Sequence, residues 1–271
     1  MTKKKRKPAH LAKKKFSYLH IFICGLIVGA ALSTLNLDTE FKTAKLKSPP
    51  ASAFSSHLPT TSIVLEREGY TLAYEGRTRN PYWVYHRLTP KVDEKQATRD
   101  LCDFQEDHAI PSPIRATKSD YKNSGYDRGH LFPAADSKNQ LEMDESFLLT
   151  NISPQVPAFN RGYWRKLEGH IRELTEKYPL VHVFAGPLYL KQKEEDGKQY
   201  VKYEVIGNHD VAVPTHFFSL IFVEQTNGKL RTKGYILPNK QISSKIPFKK
   251  FSASIEEIET ASGIIFSKTH G

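Results

Sequence analysis

The stretch Tyr126–Asp136 reads YDRGHLFPAAD and places Asp127, Arg128 and His130 around one glycine. A strand of a hydrophobic core does not need three ionisable side chains within four residues. A solvated loop, in turn, does not need the apolar Leu-Phe-Pro-Ala-Ala that follows the histidine. This combination indicates a site with chemistry of its own rather than an element of the core.

Two more runs of polar and aromatic residues follow downstream. Thr150–Gln155 reads TNISPQ, and Phe159–Glu168 reads FNRGYWRKLE. From the second run onward, apolar residues recur at steps of three and four, which predicts a helix with one buried face. These apolar residues are Trp164, Leu167, Ile171 and Leu174. Trp164 is therefore expected in the core rather than in contact with a ligand.

The rest of the body alternates short apolar and aromatic runs with turn residues, a pattern typical of strands. Strands are predicted at Ser62–Leu65, Tyr70–Tyr74, Tyr82–Leu88, Pro179–Gly186, Tyr200–Ile206 and His216–Glu224. A short final helix is predicted at Ser252–Gly263. The predicted fold class is α+β, with a central mixed or antiparallel sheet, flanking helices and a single domain over residues 61–271.

The formal net charge of +11 first suggests an anionic partner such as nucleic acid. Residues 1–15, however, hold eight lysines and arginines and no acid, so the remainder carries only +3. The basicity is mainly a property of this amino-terminal tail. Net charge therefore supports nucleic-acid binding by the body only weakly.

The tail is followed by an apolar segment, residues 16–35, and no charged residue occurs between Lys15 and Asp38. About twenty apolar residues span a bilayer as a helix, and preceding lysines keep that end in the cytoplasm. We expect an uncleaved membrane anchor; a cleaved secretory signal and a soluble or organellar location are the alternatives. Either segment would export the body. An anchor would hold it at the membrane on the non-cytoplasmic side, whereas a cleaved signal would leave it secreted or periplasmic. Residues 36–60 are rich in Ser, Thr, Ala, Lys and Pro and predict a flexible linker.

Only two cysteines occur, Cys24 in the apolar segment and Cys102 in the body. The body therefore cannot close an internal disulfide, and its core must be large enough to be stable without one. A zinc site built on cysteines is excluded as well.

The motifs DRGH, TNISPQ, FNRGYW and KLE together resemble those of the DNA/RNA non-specific endonuclease family. These are sugar-non-specific nucleases with a ββα-metal motif, and they include the endonuclease G type. The similarity runs from about Thr61 to Asn239 and extends to NPYWVYHRLT, SDYKNSGYDRGH, VPTHFF and GYILPN. One tetrapeptide would carry little weight, whereas four motifs in the same order and spacing are a specific signal. The segment Cys102–Asp107, CDFQED, resembles the endonuclease G branch more than the secreted bacterial branch.

The resemblance implies hydrolysis of phosphodiester bonds in DNA and RNA, with 5′-phosphate and 3′-hydroxyl products. It makes His130 the general base, a role that suits an imidazole with a reference pKa of about 6.5. It makes Asn160 the direct ligand of one Mg²⁺, with Mn²⁺ as the alternative ion. Because Mg²⁺ prefers oxygen ligands and keeps several waters, a single amide oxygen fits this role. Glu168, Asn151 and Asp127 would hold the waters of the metal.

The remaining predicted contacts to substrate are cationic. The Arg128 guanidinium matches phosphate oxygens, and the resemblance makes Arg172 a phosphate or transition-state contact. Family members also carry a phosphate-clamping basic residue upstream of DRGH, and both Arg99 and Arg115 are available for it. The predicted catalytic residues are thus His130, Arg128, Glu168, Asn151 and Arg172.

Each of these assignments has a structural alternative. Asn160 is also a common type of helix-capping residue, and the alternative for Asn151 is that it only fixes the turn before Pro154. Glu168 and Arg172 are four residues apart and would form an ordinary surface ion pair on a helix. On an α-helix, eight residues at 100° each place Asn160 and Glu168 about 80° apart, so both can reach one side.

Two other functions are compatible with the sequence. The first is a catalytically silent, exported protein that binds nucleic acid, and the second is a phosphoesterase acting on smaller phosphodiesters. The predicted partners are DNA and RNA as substrates, the membrane through the amino-terminal helix, and a second copy of the chain in a homodimer. Biological role and the preference between DNA and RNA stay open.

Overall fold

A computed structural model of the chain describes residues 63–90, 97–225 and 228–266. The predicted tail (1–15), membrane or signal segment (16–35) and linker (36–60) lie outside these residues. Their predicted roles stay predictions. Among the described residues, no helix is both long enough and apolar enough to cross a bilayer. The predicted division of the chain into tail, apolar segment, linker and domain stays a prediction.

Strands dominate the described part of the chain. They are β1 (Val64–Glu66), β2 (Tyr70–Glu75), β3 (Asn80–Leu88), β4 (Asp127–His130), β5 (Ile152–Gln155), β6 (Val181–Leu188), β7 (Gln192–Lys193), β8 (Gln199–Tyr200), β9 (Val205–Ile206), β10 (Val211–Ala212), β11 (His216–Glu224), β12 (Leu230–Pro238) and β13 (Ser252–Ala253). The α-helices are α1 (Gln140–Ser146), α2 (Arg165–Glu173) and α3 (Ile255–Ser262), and a π-helical turn, Phe159–Trp164, runs directly into α2. The predicted α+β class is confirmed.

The main sheet has seven strands in the order β1-β2-β3-β6-β11-β12-β13, and every neighbouring pair is antiparallel. Strand β11, in the interior of the sheet, is buried on both faces, as a continuous apolar run predicts. Phe217 and Ile221 pack with α2 on one face, whereas Phe218 packs with α3 on the other. The sheet is therefore the middle layer, and α2 and α3 cover its two faces.

The DRGH run is a strand, although it is not part of the main sheet. It forms β4, which pairs with β5 in a separate two-stranded ribbon, with Gly129 opposite Ser153. Asn239, at the end of β12, accepts a hydrogen bond from the Val156 amide at 2.9 Å and donates one to the Pro154 carbonyl at 3.1 Å. This asparagine fastens the ribbon to the main sheet, so the ionisable run has a rigid support without entering the core.

Most predicted strands differ from the structure by a few residues at their ends, and three elements differ more. The expected strand Tyr200–Ile206 is interrupted, because only its two ends pair, as β8 and β9, and the residues between them are exposed. The sequence analysis missed β12, whose lysines and glycine break the apolar pattern. The last helix begins at Ile255, because Ser254 caps it through a capping box with Glu257.

Candidate active site

The site lies where the β4–β5 ribbon meets the π-helical turn and α2. The Asn160 side-chain amide donates to Asp127 Oδ2 at 2.9 Å, which joins the first residue of β4 to the turn. At the other end of the strand, the Trp164 indole donates to the His130 carbonyl at 3.3 Å. These two hydrogen bonds fix the β4–β5 ribbon against the π-helical turn that leads into α2.

The first turn of the helix is π-helical rather than α-helical, so the 100° spacing used to relate Asn160 to Glu168 does not hold across it. Asn160 lies inside this turn, and its backbone amide donates to the Val156 carbonyl at 2.9 Å. The residue at the amino-terminal cap is Ala158. The helix-capping alternative for Asn160 is therefore wrong, and its side chain is directed at Asp127 instead.

Asp127 accepts hydrogen bonds from two neighbours on the turn. Besides the Asn160 amide, the Arg161 guanidinium binds both carboxylate oxygens, at 2.7 and 2.6 Å. Partial burial raises the pKa of Asp127, but the hydrogen bonds from Arg161 and Asn160 outweigh it, and the pKa lies below its usual value. Asp127 is consequently an anion at neutral pH, and Arg161 is an ion-pair partner rather than a solvated charge.

The imidazole ring of His130 packs between two aromatic rings. Its ring centre lies 5.5 Å from that of Phe104 and 4.9 Å from that of Phe147, the latter edge to face. The Nε2 atom is buried and has no hydrogen-bond partner among the described residues. Burial lowers the pKa of His130 to about 3, and the positive charge of Arg99 acts in the same direction. The imidazole is therefore neutral at neutral pH, the form that can accept a proton.

The two candidate arginines upstream of DRGH occupy different surroundings. Arg99 is exposed, lies 5.6 Å from the centre of the Phe147 ring and acts electrostatically on His130. Arg115 donates to the Ile110 carbonyl through Nε and Nη2, at 2.9 and 2.7 Å, and its side chain is largely buried. Of the two, only Arg99 presents its charge at the site.

Arg128 is also held by aromatic rings. Its guanidinium carbon lies 5.2 Å from the centre of the Phe104 ring and 5.8 Å from that of Tyr121. One guanidinium nitrogen donates to the Lys118 carbonyl at 3.3 Å. Since Phe104 contacts both His130 and Arg128, one aromatic residue positions the imidazole and the guanidinium together.

Glu168 and Arg172 belong to a buried polar network that the sequence did not reveal. Arg172 donates to Asp136 Oδ1 at 2.8 Å, and His86 Nε2 lies 3.6 Å from Asp136 Oδ2. The side chains of Asp136 and His86 are 2% and 3% exposed. Burial raises the pKa of Glu168 to about 8, with the negative charge of Asp136 adding to the rise and Arg172 opposing it. The predicted surface ion pair between Glu168 and Arg172 is thus replaced by an internal cluster.

A small cavity adjoins this network. It measures about 20 Å³, and His86, Asp136, Glu168 and Ser219 contribute its polar lining. His86 Nδ1 and Ser219 Oγ are both buried without a hydrogen-bond partner among the described residues. The volume and these groups suit one ordered water, which needs about 10–15 Å³ and two or more polar partners.

Asn151 lies away from solvent, with 0% of its surface exposed. Its side-chain oxygen accepts from the Phe132 amide at 2.8 Å, and its nitrogen donates to the Phe132 and Ser146 carbonyls at 3.0 and 2.8 Å. All three hydrogen bonds go to backbone, two of them to the segment that follows His130. This environment matches the structural alternative for Asn151, although the backbone it fixes is the loop after β4 rather than the turn before Pro154.

Gly129 is required by close packing within the ribbon. A Cβ atom at this position would lie 2.2 Å from the side-chain carbon Cδ of Gln155 and 2.4 Å from its Oε1. Gln155 is buried, and neither of its side-chain polar atoms has a partner in the described structure. The glycine between Arg128 and His130 thus makes room for a side chain of the opposite strand.

Comparisons with known proteins identify the family of the chain. The family model of DNA/RNA non-specific endonucleases matches residues 48–270. The chain belongs to the DNA/RNA non-specific endonuclease family. Human mitochondrial endonuclease G is 44% identical over 210 residues, which cover 77% of this chain and 71% of that protein. Nuclease C1 of Cunninghamella echinulata is 44% identical over 213 residues, covering 76% and 83%.

A solved structure of EndoG in complex with EndoGI superposes on this chain with a TM-score of 0.76 and 42% sequence identity, covering 79% of this chain and 89% of that one. Family membership confirms the predicted enzyme class, a hydrolase of DNA and RNA. The relatives from human and Schizosaccharomyces pombe are mitochondrial by name.

Within the described residues, no three His, Cys, Asp or Glu side chains converge on one point as ligands of a metal. Of the predicted metal residues, Asn160 and Asp127 contact each other directly, whereas Glu168 lies in the network of Asp136 and Arg172. Since Asn160 uses its nitrogen for Asp127, its oxygen is left for a cation. Such a set fits a hard ion that takes one protein oxygen directly and keeps its waters.

Substitution of Gly129 by alanine tests the packing of the ribbon. We expect Gly129→Ala to lower the free energy of unfolding by about 1–3 kcal/mol, because the new methyl group overlaps Gln155. Urea denaturation followed by circular dichroism measures the loss. The double variant with Gln155→Ala should regain part of it, whereas Gly169→Ala in α2, whose new methyl group would lie 4.0 Å from the Arg172 guanidinium, should cause no loss. Equal stability of Gly129→Ala and wild type would refute the packing argument.

The raised pKa of Glu168 predicts a pH-dependent stability. The folded protein keeps this proton up to a pH of about 8, whereas an unfolded glutamate releases it near pH 4.3. The stabilisation is complete below the lower value and is lost as the pH rises to the higher one, with a slope of at most about 1.4 kcal/mol per pH unit. Glu168→Gln stays neutral, so its free energy of unfolding should rise relative to wild type between pH 5 and 8.

The measurement is urea denaturation at several pH values with a chelator present. Glu256→Gln, at an exposed residue of α3, is the matched control and should follow the wild-type curve. If the Glu168→Gln and wild-type curves stay parallel, Glu168 does not carry a buried proton.

Proposed function

We propose that this chain hydrolyses phosphodiester bonds of DNA and RNA with His130 as general base and one divalent metal ion bound at Asn160. The observation that carries the proposal is the hydrogen bond from Asn160 to Asp127. It joins the metal-binding amide to the strand that ends in His130, so one rigid unit holds the base and the ion. The proposed substrates are those named by the family.

The surroundings of His130 support its role as a base. The imidazole is neutral, and its Nε2 is buried, so Nδ1 is the nitrogen that accepts a proton from water. The Phe104 and Phe147 rings fix the orientation of the imidazole, so the lone pair of Nδ1 is aimed before the substrate arrives.

The ion we propose is Mg²⁺, with Mn²⁺ as the alternative. Asn160 would bind it directly, and Asp127 and Glu168 would hold its waters through their carboxylates. When bound, the ion supplies positive charge to the phosphate and to the departing 3′ oxygen. Asn151 takes a different part from the one its motif implied: we assign it to positioning the loop after His130, because its amide is saturated by backbone groups.

Three arginines complete the proposed contacts to phosphate. Arg128 and Arg172 are held by their neighbours with part of each guanidinium free to donate, and Arg99 stands exposed beside His130. These contacts are directed at the backbone, which is common to all sequences and to both sugars. Little sequence preference and cleavage of both DNA and RNA follow from this arrangement.

Cellular location and assembly remain part of the proposal. We retain export through residues 16–35, as an anchor or as a cleaved signal, with organellar targeting as the alternative suggested by the mitochondrial relatives. A homodimer is retained as well. Mass measurement of the mature amino terminus and of the native particle tests both.

The full-length chain, incubated with plasmid DNA and with RNA, tests the proposed chemistry. We expect nicking with Mg²⁺ and none with excess chelator. His130→Ala should lower kcat by about 10²–10⁴, the usual contribution of a general base. His170→Ala, on α2 but stacked on Phe248, is the matched control and should retain activity. Cleavage by His130→Ala at the wild-type rate would refute the assignment of His130 as general base. Nicking in the presence of excess chelator would refute the requirement for a metal ion.

The choice between Arg99 and Arg115 is tested by a matched pair of alanine variants. Arg99→Ala should lower kcat/KM by about 10–100-fold, the value of one charge-assisted hydrogen bond of about 1.5–3 kcal/mol. Arg115→Ala should instead lower the free energy of unfolding, because it removes two bonds to the Ile110 carbonyl. Nuclease assays and urea denaturation of both variants measure the two effects. If Arg115→Ala instead lost activity and Arg99→Ala lost only stability, Arg115 would be the residue that contacts the phosphate.

A further inference from the structure

The segment that follows β12 is basic and contacts α2 and the π-helical turn before it. Residues 239–255 carry four lysines, Lys240, Lys245, Lys249 and Lys250, and no acid. Of these, Lys245, Lys249 and Lys250 lie in the part that runs along α2, and all three are exposed. None of the three has an ion-pair partner among the described residues.

This segment is fastened to the helix rather than merely near it. Lys166 donates to the Ser244 carbonyl at 2.8 Å, and the Tyr163 hydroxyl donates to the Ile246 carbonyl at 2.7 Å. The Phe248 ring lies 5.3 Å from Tyr163 and is stacked 5.0 Å from His170. The lysines therefore stand on a fixed base whose position is set by α2 itself.

The helix adds positive charge on its solvent side. Arg161, Arg165 and Lys166 are exposed, and Arg161 reaches Asp127 at the active site. Basic side chains thus continue from the site, across the start of α2, to the segment that follows β12. We call Arg165, Lys166, Lys245, Lys249 and Lys250 the lysine platform. The acidic Glu173, which pairs with His170, is two turns further along the helix from Arg165.

Two glycines on the helix have no packing reason within the chain. A Cβ at Gly162 would meet nothing within 4 Å, and one at Gly169 would meet only the Arg172 guanidinium at 4.0 Å. Glycine inside a helix costs about 0.5–1 kcal/mol relative to alanine. The missing side chains leave the backbone at both positions open to close approach by a ligand.

We infer that the lysine platform binds the phosphate backbone of the nucleic acid beyond the scissile bond. The inference rests on the proposed function, since it assumes that the strand leaving the active site passes over α2. Fixed cations spaced along the helix and the following segment match a polyanion with a repeating charge. The platform gives long substrates an affinity that fragments too short to reach it lack.

The test uses the full-length chain and a fluorescein-labelled DNA duplex of about three helical turns, in chelator so that binding is measured without cleavage. Each neutralised phosphate contributes about −0.9 to the slope of log K against log salt. The triple variant Lys245→Gln, Lys249→Gln, Lys250→Gln should therefore flatten the slope by about 2–3. The control triple variant Arg87→Gln, Lys177→Gln, Arg231→Gln removes the same charge at three exposed residues outside the platform, in β3, after α2 and at the start of β12, and should keep the wild-type slope.

Substitution of the same three lysines by arginine should restore the slope, since charge is retained. In Mg²⁺, the glutamine variant should lose at least ten times more kcat/KM on long DNA than on a tetranucleotide. A wild-type slope in the glutamine variant, or equal flattening in the control, overturns the inference. If the triple variant does not fold, the single variants Lys249→Gln and Lys250→Gln replace it. Each should flatten the slope of log K against log salt by about 0.9, and a wild-type slope in both would overturn the inference. Failure of the wild type to cut any substrate would refute the proposed function and leave the binding slopes readable.

Discussion

The hydrogen bond between Asn160 and Asp127 is the interaction on which the site depends. Strand β4 and the π-helical turn come from parts of the chain more than thirty residues apart, and this contact, together with that between Trp164 and the His130 carbonyl, fixes their relative position. Arg161 strengthens it by neutralising the same carboxylate. The extra residue of the π turn is what brings Asn160 and Arg161 to Asp127 together, which is consistent with the frequent occurrence of π-helical turns at functional sites.

Burial shifts the two key titratable groups in opposite directions, and in both cases it favours the neutral form. Burial lowers the pKa of His130 to about 3 and raises that of Glu168 to about 8; Arg99 adds to the first shift and Asp136 to the second. The consequence for His130 is a neutral imidazole with a free lone pair at neutral pH. For Glu168 it is a carboxyl group that a nearby positive charge would convert to the anion.

The sequence predicted the parts of this site that depend on local pattern and missed the parts that depend on tertiary contact. The α2 stripe and β11 followed from periodicity, and the DRGH, FNRGYW and KLE runs marked Asp127, His130, Asn160 and Glu168 through family resemblance. Asp136 and His86, by contrast, are fifty residues apart and meet only because β3 passes beneath the loop after β4. A histidine at an inward position of an apolar strand was the one available signal. The boundaries of the π turn and the saturation of Asn151 by backbone carbonyls left no trace in residue type.

The buried polar groups of the site carry an energetic cost that the main sheet has to offset. His130 Nε2, both polar atoms of Gln155 and Ser219 Oγ have no partner among the described residues, and each such group costs about 1–3 kcal/mol unless a water serves it. The body has only one cysteine, so no disulfide within it can compensate. The compensation comes from strands β6 and β11, which bury apolar side chains on both faces at about 25 cal/mol per Å². A fully covered main sheet is therefore what allows the fold to tolerate buried polar groups without partners in and beside the β4–β5 ribbon.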